Sequence, residues 1–298
     1  MNKKAFALAS IAIIIWASSF AGIRASLLGG YTPAHLVLVR FLVASGVFIL
    51  YSLLPNVHFQ IPKTNDLGQI FLLGFLGITV YHIGLTFGVE TIPAGTASMI
   101  VGAAPIFTAL IAVLFMEERL EWFSWIGLVI GFIGIILITI GSSGASFSFN
   151  VGALFVLIGA ISTAAFFVLQ KPLFAHYKPI ELTAYFTWAG TLPLLIFLPG
   201  LWNNVQQATV EANLSAIFVG IFPAAIAYTA WTIALSLGNA TKISMMLYIE
   251  PAIAIIIAWV WLNEWPENLS LIGGLIAISS VLVVNILGRK SRIKEEKS

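Results

Sequence analysis

Ten apolar runs, each close to the length of a bilayer crossing, fill almost the whole 298-residue chain. They fall at roughly 5–23, 33–54, 67–89, 93–116, 121–141, 151–169, 180–198, 213–234, 240–262 and 268–287. A helix needs about 20 apolar residues to cross the hydrocarbon core, where every backbone polar group must be satisfied within the protein. A chain built this way folds into membrane-spanning helices and little else. Only 9% of the residues are charged and 60% are apolar, whereas about a quarter of a soluble domain is charged. Connections such as GGYTP, IPAG and EERLE leave no room for a soluble domain. Trp122, Trp125, Trp202, Trp261 and Trp265 stand at span ends, as interfacial belt residues do.

Several functions are excluded early. With no cysteine, disulfides, thiolate metal sites and Cys nucleophiles are ruled out, while the redox compartment stays open. HExxH, G-x-S-x-G, Walker A and dinucleotide fingerprints are missing, so no metal, cofactor or attached ATPase is implied. A membrane enzyme would cluster polar catalytic residues at one interface, and a sensor would carry an output domain; neither pattern is present. Nucleic-acid binding has no support either.

Charge placement sets an orientation. Ten spans put both ends of the chain on one side. That side collects Lys3, Lys4, Lys63, Arg119, Lys171, Lys178, Lys242 and the five basic residues from Arg289 to Lys297. The other side has Arg24, and Arg40 lies within a span. By the positive-inside rule both termini are cytoplasmic in a cell (inner or plasma) membrane. The basic tail, 289–298, enforces this topology and touches anionic lipid. Lys3 and Lys4 ahead of an apolar run could also mark a signal peptide. The first span has a counterpart at span six, however, so it belongs to the fold.

That counterpart is part of a repeat. Ser98, Met99, Pro105, Ile111, Ala112 and Glu118 match Ser244, Met245, Pro251, Ile257, Ala258 and Glu264 at a constant offset of 146. The same offset pairs Gly74 with Gly220, Thr86 with Thr232 and Gly127 with Gly273. Five spans per half, an odd number, turn the second half over in the membrane. The halves are 1–145 and 146–288. Inverted repeats recur in secondary transporters, where a midplane site lies between halves that rock to alternate access.

The spacing P105…E118…G127, repeated as P251…E264…G273, together with WASSF (16–20) in span one, resembles the EamA-type ten-helix proteins of the drug/metabolite transporter superfamily. The resemblance covers essentially the whole chain. It implies an all-α integral membrane fold of ten helices, two inverted five-helix repeats around a central cavity. It also implies export of small metabolites from the cell, amino acids most commonly, with purines and toxic organic compounds as other cargoes. The shared motif is mostly architectural and leaves the substrate open.

Glu250 departs from that architecture, because its repeat partner is Ala104. It lies roughly 15 Å into span nine, near the midplane, where an acid costs about 2.5–3.5 kcal/mol on insertion scales. It is either a neutral carboxyl bonding a carbonyl that a mid-helix Pro251 sets free, or a working group: a proton-coupling carboxylate or the counter-charge of a substrate ammonium. EamA-like sequences often carry an acid before this proline, which fits both. Arg40, seven residues after Pro33, must snorkel outward, find an acid, or line water and hold a substrate carboxylate. Thr79, His82 and Thr86 share one face of span three, beside a seam of Gly74, Gly77, Tyr81, Gly84 and Gly88. The offset pairs His82 with Tyr228, which makes spans three and eight candidate walls of one cavity. Trp16 either stacks on a substrate or packs. Glu118 and Glu264 read as interface residues that could bond exposed amides at the start of the next helix. The expected partners are a small solute, the bilayer and protons; the oligomeric state stays open.

Overall fold

A computed structural model describes residues 3–55, 57–104, 106–108, 110–111, 122–141, 150–237 and 245–280. Among them every regular element is helical. In chain order these are α1 (Lys3–Leu28), α2 (Pro33–Ser52), α3 (Thr64–Val89), α4 (Ala94–Gly102) and α5 (Trp122–Gly141). There follow α6 (Val151–Leu169), α7 (Pro179–Leu194), α8 (Val210–Ile221, continuing to Leu237), α9 (Glu250–Leu262) and α10 (Asn268–Ser280). Each lies within or overlaps one apolar run. Among the described residues α1, α2, α3, α6, α7 and α8 are long and apolar enough to cross a membrane. The chain is a multi-pass membrane protein.

Local sequence explains most helix starts. The Thr32 hydroxyl accepts the His35 amide and Pro33 follows as the first residue of α2. Asn150 caps α6 through the Gly152 amide, and Thr209 caps α8 through the Ala212 amide. Such caps satisfy amides that have no partner within the helix. A short helix at Leu201–Gln207, between α7 and α8, was not legible in the apolar pattern.

The repeat is visible in the packing. Ser45 of α2 and Thr191 of α7, which are 146 residues apart, join their hydroxyls at 3.0 Å. Two equivalent positions meet each other only on a two-fold axis. A Cβ on Gly74 would lie 2.7 Å from the Phe186 carbonyl, and one on Gly220 would lie 2.9 Å from the Arg40 carbonyl. These are the same contact made twice, α3 on α7 and α8 on α2. The Gly131–Ser280 and Gly134–Ala277 approaches of α5 on α10 are another such pair.

Two regular expectations fail in an informative way. Both α3 and α8 widen into a single π-helical segment, Phe75–Val80 and Phe222–Ala227, within one residue of the repeat spacing. Span nine is not a continuous helix with a proline in its middle. Met245–Ile249 is a 3₁₀ segment and α9 begins at Glu250, so Pro251 sits in the first turn. A proline there lacks an amide that the helix does not need. It frees no carbonyl.

The glycine seam of α3 is a packing surface, as its small residues suggested. A methyl on Gly84 would lie 2.5 Å from the Phe155 carbonyl and 3.1 Å from the Gly159 amide of α6, whereas nothing lies within 4 Å of one on Gly46. Gly84→Ala should therefore lower the thermal unfolding midpoint of the detergent-solubilised protein, by the about 1–3 kcal/mol typical of overpacking. Gly46→Ala should leave it unchanged or raise it. Equal midpoints for the two variants would contradict this packing.

Candidate substrate site

The α3 seam pins one side of that helix on α6 and α7, and its other side faces α2. Arg40 of α2 is 2% exposed, so it does not snorkel, and its guanidinium lies 5.5 Å from the centre of the Phe41 ring. Nε and Nη1 have no hydrogen-bond partner among the described residues. His82 packs its ring 4.6 Å from Phe41 and 4.3 Å from Tyr81, and neither of its ring nitrogens is bonded. The Thr86 hydroxyl is likewise buried and unpartnered. Thr79, the third residue of the stripe, instead donates to the Gly190 carbonyl at 2.7 Å and belongs to the α3–α7 contact. The side chain of Thr232 lies outside the described residues.

The other candidates, Trp16, Tyr228 and Glu250, come from α1, α8 and α9. Trp16 of α1 donates from Nε1 to the Pro223 carbonyl at 3.0 Å and meets Tyr228 edge-on at 5.1 Å. Trp16 therefore packs against α8. Glu250 is the first residue of α9 and is partly exposed. No hydrogen bond or ion pair reaches its carboxylate among the described residues. The expected alternative, a carboxyl tied to a carbonyl freed by Pro251, is thereby corrected, since no such carbonyl exists. The first turn of a helix is a position where the dipole favours an acidic side chain.

Arg40 and Glu250 do not pair. Tyr81 and Tyr228 each lie within electrostatic reach of both, and His82 lies within reach of Arg40. Tyr81 was missed because it fell in the glycine seam. The signal that could have found it is F-x₅-Y, which occurs as Phe75…Tyr81 and Phe222…Tyr228 at a spacing one residue longer than the repeat. Chemically, a guanidinium with free donors can take a carboxylate through two hydrogen bonds. A partly open acid can take an ammonium or a proton. Burying such a charge without a partner is expensive.

The motif residues sit elsewhere. Glu264, just beyond α9, accepts Arg24 Nε at 2.8 Å and the Ala94 amide of α4 at 3.4 Å. The helix whose start it bonds is in the other half of the chain, not the next one along. Pro251 packs on Gly102, Gly127 is buried, and Gly273 lies against the Gly134 carbonyl. Pro105 and Glu118 lie outside the described residues. Thr183, Thr187 and Thr191 bond back to their own helix. An apolar groove of ≈ 360 Å³, bounded by Leu8, Phe48, Tyr51, Ile180 and Ile233, opens on the flank near the N-terminus. None of the site residues read from the sequence lines it.

Two oppositely oriented helical halves with an unneutralised polar site at their junction define a membrane transport protein rather than an enzyme. The model of the EamA-like transporter family matches residues 3–140 and again 150–286, and the chain belongs to that family. It is 40% identical to the "Uncharacterized transporter YdfC" of Bacillus subtilis, over 91% of this chain and 88% of that one. It is 34% identical to the "Probable terminal-alkyne amino-acid exporter" of Streptantibioticus cattleyicolor, over 97% and 96%. The "S-adenosylmethionine uptake transporter" of Rickettsia bellii is 26% identical over 88% and 83%. A solved crystal structure superposes with a TM-score of 0.61 at 20% identity, over 97% of this chain and 99% of its own, and shares the fold.

If Arg40 is held against its own burial cost, removing the charge should stabilise the fold. Arg40→Met should raise the unfolding midpoint, by up to about 1–4 kcal/mol as for other buried charges replaced by apolar residues. Arg40→Lys should not. A lower midpoint for Arg40→Met would mean that the guanidinium is a structural group.

Proposed function

We propose that this protein exports small amino-acid-like metabolites by alternating access between its two halves, 1–145 and 146–288. The observation that carries the reading is Arg40, a buried guanidinium without an acid partner among the described residues, separated from the equally unpaired Glu250. An α-amino acid is a carboxylate and an ammonium on one carbon. It complements a site that keeps a cation and an anion apart. Arg40, His82 and Thr86 offer donors to the carboxylate; Glu250 takes the ammonium, or a proton when the substrate is absent. Tyr228 and Thr232 on α8, with Trp16 on α1, form the remaining wall. The name of the Streptantibioticus relative supports an amino-acid cargo. Placement of Lys and Arg supports cytoplasmic termini in the inner or plasma membrane.

A carrier of sugars, nucleobases or toxic organic cations is the competing cargo class, and the aromatic pair Trp16–Tyr228 beside an open acid suits a cation. Growth protection of expressing cells against a panel of amino acids, toxic analogues and organic cations separates the two. Arg40→Ala should abolish protection against amino acids; protection that survives it, with cations the only cargo, overturns the amino-acid reading.

Proton coupling is tested in proteoliposomes carrying a protected amino acid. Glu250→Gln should remove the pH dependence of transport while leaving detectable exchange. An unchanged pH profile would refute the coupling role of Glu250.

A further inference from the structure

At the end of α1 away from the N-terminus, an ion pair joins the two halves of the chain. Arg24 of α1 donates Nε to Glu264 at 2.8 Å, and its Nη1 reaches the Val89 and Glu90 carbonyls at 2.9 and 2.6 Å. Glu264 accepts the Ala94 amide through its other oxygen. The cation thus sits on the last carbonyls of α3 and the anion on the first amide of α4. Both placements agree with the helix dipoles. Glu264 is held there by the end of α9, where Asn263 adopts a left-handed conformation (φ 54°) and its amide bonds the Trp259 carbonyl. Four of these groups belong to the first half of the chain and Glu264 to the second, so the contact must break if the halves separate on this face. Two residues after Ala94 in α4, Thr96 is 1% exposed, and its hydroxyl has no partner among the described residues.

The repeat supplies the second observation. At the offset of 146 Glu264 corresponds to Glu118, but Arg24 corresponds to Gln170. A neutral amide cannot form an ion pair. At the equivalent positions, the residue pair that the second half could offer is chemically unequal to Arg24 and Glu264.

We propose that Arg24 and Glu264 are the gate of the face opposite the N-terminus, and that the presence of Gln170 in place of the arginine in the other half biases the resting protein toward being shut on that face. The gate is independent of cargo, so it stands or falls apart from the amino-acid reading.

The cysteine-free chain offers a direct test. A single Thr96→Cys reporter is treated with a membrane-impermeant maleimide from each face, in intact cells and in inverted vesicles. With the gate intact the thiol should be protected from the opposite face. Arg24→Gln should speed labelling from that face about tenfold, as losing one charge-assisted contact predicts. Glu264→Gln should do the same, Arg24→Lys should do so less, and the double variant Arg24→Gln/Glu264→Gln should be no faster than either single change. Unchanged labelling in Arg24→Gln overturns the gate. So does acceleration from both faces together, which marks unfolding, or strictly additive effects in the double variant, which mark two unrelated contacts.

Discussion

In a bilayer, helices gain little by burying apolar side chains against one another, because lipid tails are as apolar as leucine. Association depends on close fit and on interhelical hydrogen bonds. Here the close fit is along α3. Gly74, Gly77 and Gly84 each admit an atom of α6 or α7 to a distance that no Cβ would allow, and Thr79 and Ser162 add hydrogen bonds across the same contacts. Once that side of α3 is fixed, its opposite side is committed to α2. That is why His82 meets Phe41 and why Arg40, His82 and Thr86 share one buried region. The polar site is a consequence of how tightly the glycine side is held.

Symmetry then separates scaffold from chemistry. The scaffold contacts come in pairs: Gly74 on Phe186 and Gly220 on Arg40, or Ser45 with Thr191 on the axis itself. Most of the candidate working groups, Thr86 and Thr232 apart, break the pairing. At the repeat offset Glu250 faces Ala104, Arg40 faces Phe186, Trp16 faces Ser162, His82 faces Tyr228 and Arg24 faces Gln170. At Glu250, Arg40 and Arg24 the charge stands in one half alone, whereas Glu118 and Glu264 keep it in both. A site built wholly from symmetric pairs would present like charges to each other across the axis. Divergence places one guanidinium and one carboxyl group at positions that have no charged duplicate in the other half.

The helices and the repeat were legible because hydropathy and residue spacing act along the chain. Span six, read as 151–169, coincides with α6. Glu250, Arg40 and His82 were also legible, since a polar side chain inside an apolar run needs a reason to be there. What escaped depends on distance in space. Arg24 looked like a lone topological charge until the fold placed Glu264, 240 residues away, beside it. Asn204 is unremarkable in sequence, yet it bonds Gly30 and Thr32 across the turn from α1 to α2. Tyr81 was hidden by its glycine neighbours. The break before α9 was misread because Pro251 was placed within a continuous helix, whereas backbone geometry puts it at a start.

That break and the two π segments fall in the helices that carry Glu250, Tyr81, His82 and Tyr228, and nowhere else in the described helices of the site. A regular α-helix hides its amides and carbonyls from the interior. A π segment turns the residues that follow it, and in both copies the first of these is a tyrosine within electrostatic reach of Arg40 and Glu250. A helix that starts in mid-membrane offers its positive end to whatever lies before it, and here Glu250 occupies that end. The acid and the broken helix belong together. The first turn of a helix is where the dipole favours an acidic side chain. Restoring Ala104's counterpart through Glu250→Ala would remove the charge and leave the helix end without its anion, whereas Glu250→Gln keeps a polar group there. The two substitutions therefore separate what the acid does for the helix from what it does for a proton or an ammonium.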